Sequence, residues 1–171
     1  MTCIIKEYKK NIINYDLLNK YVYKNIKEIP CVYTIKLRFT TKKYDLKTVL
    51  SGLIALEILN GKKCKILKTK KTIISLKTRK GHPMGCSITL TGKNKDRFLF
   101  FLIDKVKKVN YSTTLLSTGF IINGKISNLL ILPEFENNYN FFKTLKVLTF
   151  SIYTNIKSRK ELYFLLNSYK I

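Results

Sequence analysis

The chain has 171 residues, 46% of them apolar, and sets 33 Lys+Arg against 10 Asp+Glu for a formal charge of +23. Length and apolar share fit one folded domain spanning residues 1–171, with a real core. The charge points to a polyanionic partner rather than to any fold, and no apolar run approaches the about 20 residues of a spanning helix, so membrane insertion is not expected.

Asp16–Asn25 reads as a short amphipathic helix, with Pro30 shortly beyond it. Val32–Phe39 alternates as a half-buried strand, Tyr33, Ile35, Leu37 and Phe39 on one side and Thr34, Lys36 and Arg38 on the other. Tyr44–Asn60 is helical on spacing, with Leu46, Val49, Leu50, Leu53 and Ile54 as its seam and Asn60-Gly61 as its stop. Lys62–Lys70 follows as a cation-rich strand.

Thr69–Gly92 is the centre of the reading: two strand-like runs joined by the loop Arg79–Gly85, which carries Gly, Pro and Gly. Lys70, Lys71, Lys77, Arg79 and Lys80 load it with charge, and no carboxylate interrupts it. The second run sets Cys86, Ile88 and Leu90 against a row of hydroxyls, Ser87, Thr89 and Thr91. Such a hairpin offers no base and no partnered nucleophile, but it can lay cations and hydroxyls along a polyanion.

Asn94–Val109 reads as the second long helix, capped by Asn94, with Phe98, Leu102, Val106 and Val109 as its seam. A hairpin turning near Asn123-Gly124 and a strand Leu129–Leu132 that stops at Pro133 come next. Leu145–Thr154 alternates as a strand with Leu148, Phe150 and Ile152 inward. Ser158-Arg159-Lys160-Glu161 matches a capping box that opens a final helix with Leu162, Leu165 and Leu166 on its apolar side. The order implies an α+β domain: a mainly antiparallel sheet, helices packed on one face, an open basic face and a protruding basic hairpin loop.

Cys3, Cys31, Cys64 and Cys86 are scattered, with no C-x-x-C pair and His82 as the sole imidazole, so neither zinc nor a disulfide framework nor any cofactor is expected. The cations are almost all Lys, with Arg at 38, 79, 97 and 159, which favours point-charge contact with phosphates over forked base recognition. Gly81 and Gly85 are assigned to backbone geometry or close approach. His82, at the loop tip, either stacks on RNA or is an inert loop residue. Tyr21, Tyr23, Tyr111, Phe98, Phe100 and Phe101 are assigned to core or protein contact, and Glu134 to a turn or cap.

The run KTKKTIISLKTRKGHPMGCSITLTG resembles the signature of the large-subunit ribosomal protein "L-five" family, the central-protuberance protein associated with 5S ribosomal RNA. Thr69, Lys70, Ile73, Lys77, Arg79, Gly81, Pro83, Gly85, Cys86, Thr89, Leu90 and Gly92 fit it. YKNIKEIPCVYTIKL is similar to the family's first helix and strand, and LILPEF to its later P-E turn. The likeness runs from about Lys6 to the C-terminus in unbroken order.

The resemblance implies a non-catalytic structural subunit whose sheet face grips 5S and/or large-subunit rRNA. The implied rRNA contacts are Lys36, Arg38, Lys62, Lys65, Lys68, Lys70, Lys71, Leu76, Ser87, Thr89, Thr91 and Lys93. It implies a loop near the P-site transfer RNA, formed by Lys77, Thr78, Arg79, Lys80, Gly81 and His82. It also implies neighbouring central-protuberance proteins and a bridge to a small-subunit head protein as partners. Arg38 and Lys62 stand where the family places Asn and Gln, Leu76 where it places Phe, and NYSTTLLSTGFI replaces a basic run. These departures imply looser, more electrostatic binding, and leave open a subunit held mainly by neighbouring proteins and the large rRNA in a ribosome without 5S rRNA. Below these stands a generic basic RNA-binding protein; an RNA-cleaving enzyme and a membrane-surface protein find no supporting pattern. The richness in Lys, Asn, Ile, Tyr and Phe, with a start that coincides with the family's own, leads us to expect an organelle-encoded protein, mitochondrial first and plastid second.

Overall fold

The computed structural model describes residues 2–41, 45–72, 74–76, 78–105, 111–127, 133–136, 138–145 and 147–169; the side chains of residues 2, 3, 76, 105, 133 and 134 fall outside the description. Helices α1 (Thr2–Tyr8) and α2 (Asn14–Lys20), separated by a π-helical turn at Lys9–Ile13, lead into strand β1 (Val32–Thr40). Then come α3 (Leu46–Asn60), β2 (Lys65–Lys68), β3 (Pro83–Leu90), α4 (Lys93–Lys105), β4 (Tyr111–Leu116) and β5 (Gly119–Ile126). The chain continues through α5 (Pro133–Glu136) and α6 (Tyr139–Phe142) to β6 (Leu148–Thr154) and α7 (Arg159–Tyr169). The strands form one six-stranded antiparallel sheet in the order β2-β3-β1-β6-β5-β4, so the class is α+β as expected. By backbone proximity the chain falls into two compact units, one of residues 1–35, 90–124 and 151–171 and the other of residues 36–89 and 125–150.

In the first unit the helical N-terminus starts well before Asp16 and ends at Lys20, five residues short of the expected Asn25. Its isoleucines are β-branched and dilute the helical signal, yet Ile13 and Leu17 are fully buried. The expected phase of α7 holds: Leu162, Leu165 and Leu166 are each 1% exposed, and burial of this kind contributes about 1.5–3 kcal/mol per side chain. Of the α4 seam, Phe98 and Leu102 are buried, while Val106 and Val109 lie outside the described residues. The helix opens at Lys93, one residue before the expected cap. Asn155 clamps the chain entering β1: its Nδ2 donates to the carbonyls of Lys27 (3.2 Å) and Ile29 (2.9 Å), and its Oδ1 accepts from the Cys31 N–H (2.7 Å).

The β4–β5 hairpin turns at Ser117-Thr118, not at Asn123-Gly124, which pairs inside β5 with Ser112 and Tyr111. Gly119 decides this. Its φ is 144°, and a methyl group there would strike the Thr154 carbonyl. Asn123 is used differently, accepting from Ser151 Oγ at 2.7 Å.

In the second unit α3 is the expected helix with a different buried face. Asp45 caps it, accepting from the Lys47 N–H at 3.1 Å, and Gly61 closes it in the left-handed region. Its buried residues are Val49, Gly52, Ala55, Leu56 and Asn60, whereas Leu46, Leu50 and Ile54 of the expected seam are 50%, 56% and 50% exposed. The helix is apolar on every side, so periodicity cannot choose its face. The small residues choose it: a Cβ on Gly52 would sit 3.2 Å from Cys86 Sγ and 3.3 Å from Phe39 Cβ. The strand expected at Leu129–Leu132 lies outside the described residues, and α5 begins at Pro133, a residue suited to a first helical position.

Candidate nucleic-acid interface

The close approach of Gly52 to Cys86 and Phe39 orients the sheet within the second unit. Side chains alternate along a strand. Cys86 and Ile88 with Leu37 and Phe39 therefore face α3, and Lys36, Arg38, Ser87 and Thr89 face the other way. Lys36 and Arg38 are half-buried and Thr89 is exposed. Thr149 Oγ1 donates to the Arg38 carbonyl at 2.9 Å, which ties β6 to β1 at the cationic position.

The row of hydroxyls is not uniform. Ser87 is only 4% exposed, and it pairs with Lys65 on β2. Thr91 and Lys93 are exposed but belong to the first unit, beyond the end of β3.

The hairpin differs from expectation in one arm. β3 pairs antiparallel with β2, so the arm is Lys65–Lys68, and among the described residues the run from Lys70 onward is not a strand. It forms a loop with a 3-10 turn at Ile74–Leu76. Thr69 closes its neck: its N–H donates to the His82 carbonyl (3.0 Å), its carbonyl accepts from the Gly81 N–H (3.0 Å) and its Oγ1 donates to the Arg79 carbonyl (2.6 Å). Thr72 Oγ1 accepts from the Lys80 N–H at 3.2 Å. These bonds satisfy backbone groups that a second strand would otherwise have paired. Gly81 turns the tip with φ 90°. Gly85, buried, lets the Phe39 backbone come so close that a methyl group would collide with its carbonyl oxygen.

Lys62, Lys65, Lys68, Lys70 and Lys71 are exposed on β2 and its flanks, and Arg79, Lys80 and Gly81 at the tip. β2 is an edge strand, where lysines also discourage pairing with another chain. A register irregularity between Leu67 and Lys68 interrupts the alternation there. Thr78 is 2% exposed, within the neck that Thr69 and Arg79 close. His82 is half-buried, and its Nδ1 accepts the Arg79 N–H at 3.4 Å, so it shapes the turn. Lys77 and the Leu76 side chain lie outside the described residues. Sequence reading missed Thr69 and Thr72 as organisers; their hydroxyl, β-branched chemistry flanking Lys70-Lys71 was the available sign.

Among the described residues no group of His, Cys, Asp and Glu could hold a metal ion, and no helix is long and apolar enough to cross a membrane. Cys86 is fully buried and burial pushes its thiol up to about 11. Cys64 is pushed up to about 12 by the same cause. In both, the neutral thiol is favoured over the nucleophilic thiolate.

Cations and an exposed hydroxyl thus line one side of this part of the sheet and the arm beyond it. No family model matches the chain. It is similar to the large ribosomal subunit protein uL5m of Reclinomonas americana, 34% identical over 98% of this chain and 96% of that protein. It is also similar to uL5 of Wigglesworthia glossinidia brevipalpis, 32% identical over 90% and 89%, and to uL5m of Prototheca wickerhamii, 29% identical over 90% and 73%. The chain belongs to the uL5 family of large-ribosomal-subunit proteins. Members of that family are structural constituents of the ribosome and not enzymes.

Proposed function

We propose that this chain holds ribosomal RNA of the large subunit through two cooperating parts of its second unit. One is the sheet face bearing Lys36, Arg38 and Thr89. The other is the β2–β3 arm with Lys62, Lys65, Lys68, Lys70 and Lys71. The observation that carries this reading is the face itself: two strand cations at i, i+2 and an exposed hydroxyl lie on the side of the sheet turned away from α3. Lys36 and Arg38 neutralise phosphates, and Thr89 supplies a hydrogen bond that a solvent-facing strand residue would not need. Arg79, Lys80 and Gly81 at the tip reach the P-site transfer RNA, and a neighbouring surface bridges to a small-subunit head protein. The ribosome is mitochondrial and the protein organelle-encoded; the likeness to two uL5m proteins supports the first point and the Lys-, Asn- and Ile-rich composition the second.

The test is the salt dependence of association with large-subunit rRNA. Changing Lys70, Lys71, Arg79 and Lys80 together to Gln removes up to four phosphate contacts, at about 0.7–0.9 of log–log slope each, so the slope is expected to fall by about 3. An unchanged slope would remove the arm from the interface. Arg38 and Lys62, where the resemblance places Asn and Gln, favour a second reading, in which 5S rRNA is absent and neighbouring proteins and the large rRNA hold the subunit. A small separate RNA copurifying with the particle decides between the two.

A further inference from the structure

In the first unit a cleft of about 580 Å³ opens beside the start of α4, within the about 300–1,000 Å³ range of sites that take small organic groups. Its walls divide by chemistry. Ile5, Val32, Leu99 and Tyr169 form an apolar floor, each nearly fully buried. Lys6, Lys9, Lys93 and Lys95 stand around it.

The lysines are unequally compensated. Lys95 Nζ donates to the Val32 carbonyl at 3.0 Å and lies 3.5 Å from Asp96 Oδ1, so its charge is already answered and held in place. Lys9 is half-buried, and burial lowers its pKa, with the Lys95 charge adding and Cys31 and Asp96 opposing. A cation in that position gains from an anion arriving beside it. The amides of the first turn of α4, which begins at Lys93, add a further preference for negative charge. Gly92, with φ 57°, has open space where a side chain would be, which leaves the backbone approachable at the rim.

We propose that this cleft receives a single unstacked nucleotide of ribosomal RNA, its phosphate between Lys6, Lys9 and Lys93 and its base over the Ile5–Leu99–Tyr169 floor. Anion and flat apolar group are joined in one nucleotide, and RNA-binding proteins commonly read bases splayed out of single-stranded loops. An acidic peptide would satisfy the lysines but leave the floor unused. The proposal rests on the rRNA-binding reading above and adds to it a site in a different unit.

The experiment compares Lys6→Gln/Lys9→Gln with Lys24→Gln/Lys27→Gln, a pair of exposed lysines outside the cleft with the same loss of charge. Both are measured in the full chain binding large-subunit rRNA across a salt series. The cleft pair is expected to lower the slope by about 1.4, at about 0.7 per contact to a single strand, and the control pair to leave it unchanged. Lys6→Gln alone, at an exposed position, guards against a folding defect and should lower it by about 0.7. Ultraviolet crosslinking of the assembled large subunit should place one nucleotide on the peptides around Lys9 or Lys93. Equal slopes in the two pairs, crosslinks from the cleft to an acidic peptide, or saturation of the free protein by adenosine monophosphate as tightly as by rRNA would each overturn the proposal. Wild-type protein that ignores rRNA altogether would overturn the functional reading itself; intact wild-type binding with an unmoved cleft variant would overturn only the cleft.

Discussion

The two parts of the proposed interface are held in place by different means. Lys36, Arg38 and Thr89 stand on strands whose other side is packed against α3, so their positions are fixed by Leu37, Phe39, Cys86 and the glycine contact at position 52. The loop beyond Lys68 is held differently. Its course depends on a handful of bonds from Thr69 and Thr72 to backbone groups of the tip. A surface anchored in a core fails only when the core fails, whereas one anchored by a few local backbone and side-chain bonds can loosen while the domain stays folded.

The sharpest separation comes from Gly85→Ala. The added methyl collides with the Phe39 carbonyl and nothing flexible can yield, so the strand face should be lost with the fold, at a cost of at least about 3 kcal/mol by chemical denaturation. Thr69→Val keeps the shape and removes the hydroxyl bonded to Arg79. It should cost about 1 kcal/mol, confined to the loop, and appear as faster proteolysis between Lys70 and Lys80 with little change in global unfolding. If Thr69→Val lowered global stability as much as Gly85→Ala, the distinction would be wrong. Cys86 provides a probe of the backed side. Burial, assisted by Glu57, raises its thiol from about 9 to about 11, so the folded protein keeps that proton after the unfolded chain has lost it. The contribution is present below about pH 9 and fades between about 9 and 11. At pH 8 native Cys86 should resist iodoacetamide in mass-spectrometric mapping and react on unfolding. The smallest effect is expected from Leu50→Ala on the outer side of α3, within about 0.5 kcal/mol, against about 2–5 kcal/mol for Leu56→Ala on the inner side.

That last pair shows where sequence reading stops. β1, β6 and α7 declared their buried faces because polar residues alternate with apolar ones along them, although Val32 is buried and Tyr33 exposed at the start of β1, against the expected phase. α3 gave no such contrast. Its inward face was chosen by what Gly52 and Ala55 allow a neighbouring strand to do, a long-range fact that no local period carries. The hairpin turn went the same way: Asn123-Gly124 had the stronger local chemistry, but Gly119 sits where only glycine fits beside Thr154. Residue types of the site were legible from the unbroken run of cations and hydroxyls. Their inequality was not, since the burial of Ser87 and Thr78 depends on contacts between segments that no local pattern carries. The cleft beside α4 was invisible for a related reason: its lysines come from sequence positions far apart, 6 and 9 on one hand and 93 and 95 on the other.

The most direct test of the central claim is RNA–protein crosslinking on the assembled large subunit, read at residues 36–38 and 69–82. The account predicts crosslinks to ribosomal RNA from the strand face and from the loop alike, with those of the loop weakened by Thr69→Val and those of the strand face unaffected. Crosslinks from both segments to proteins alone, with ribosomal RNA absent from either, would contradict it.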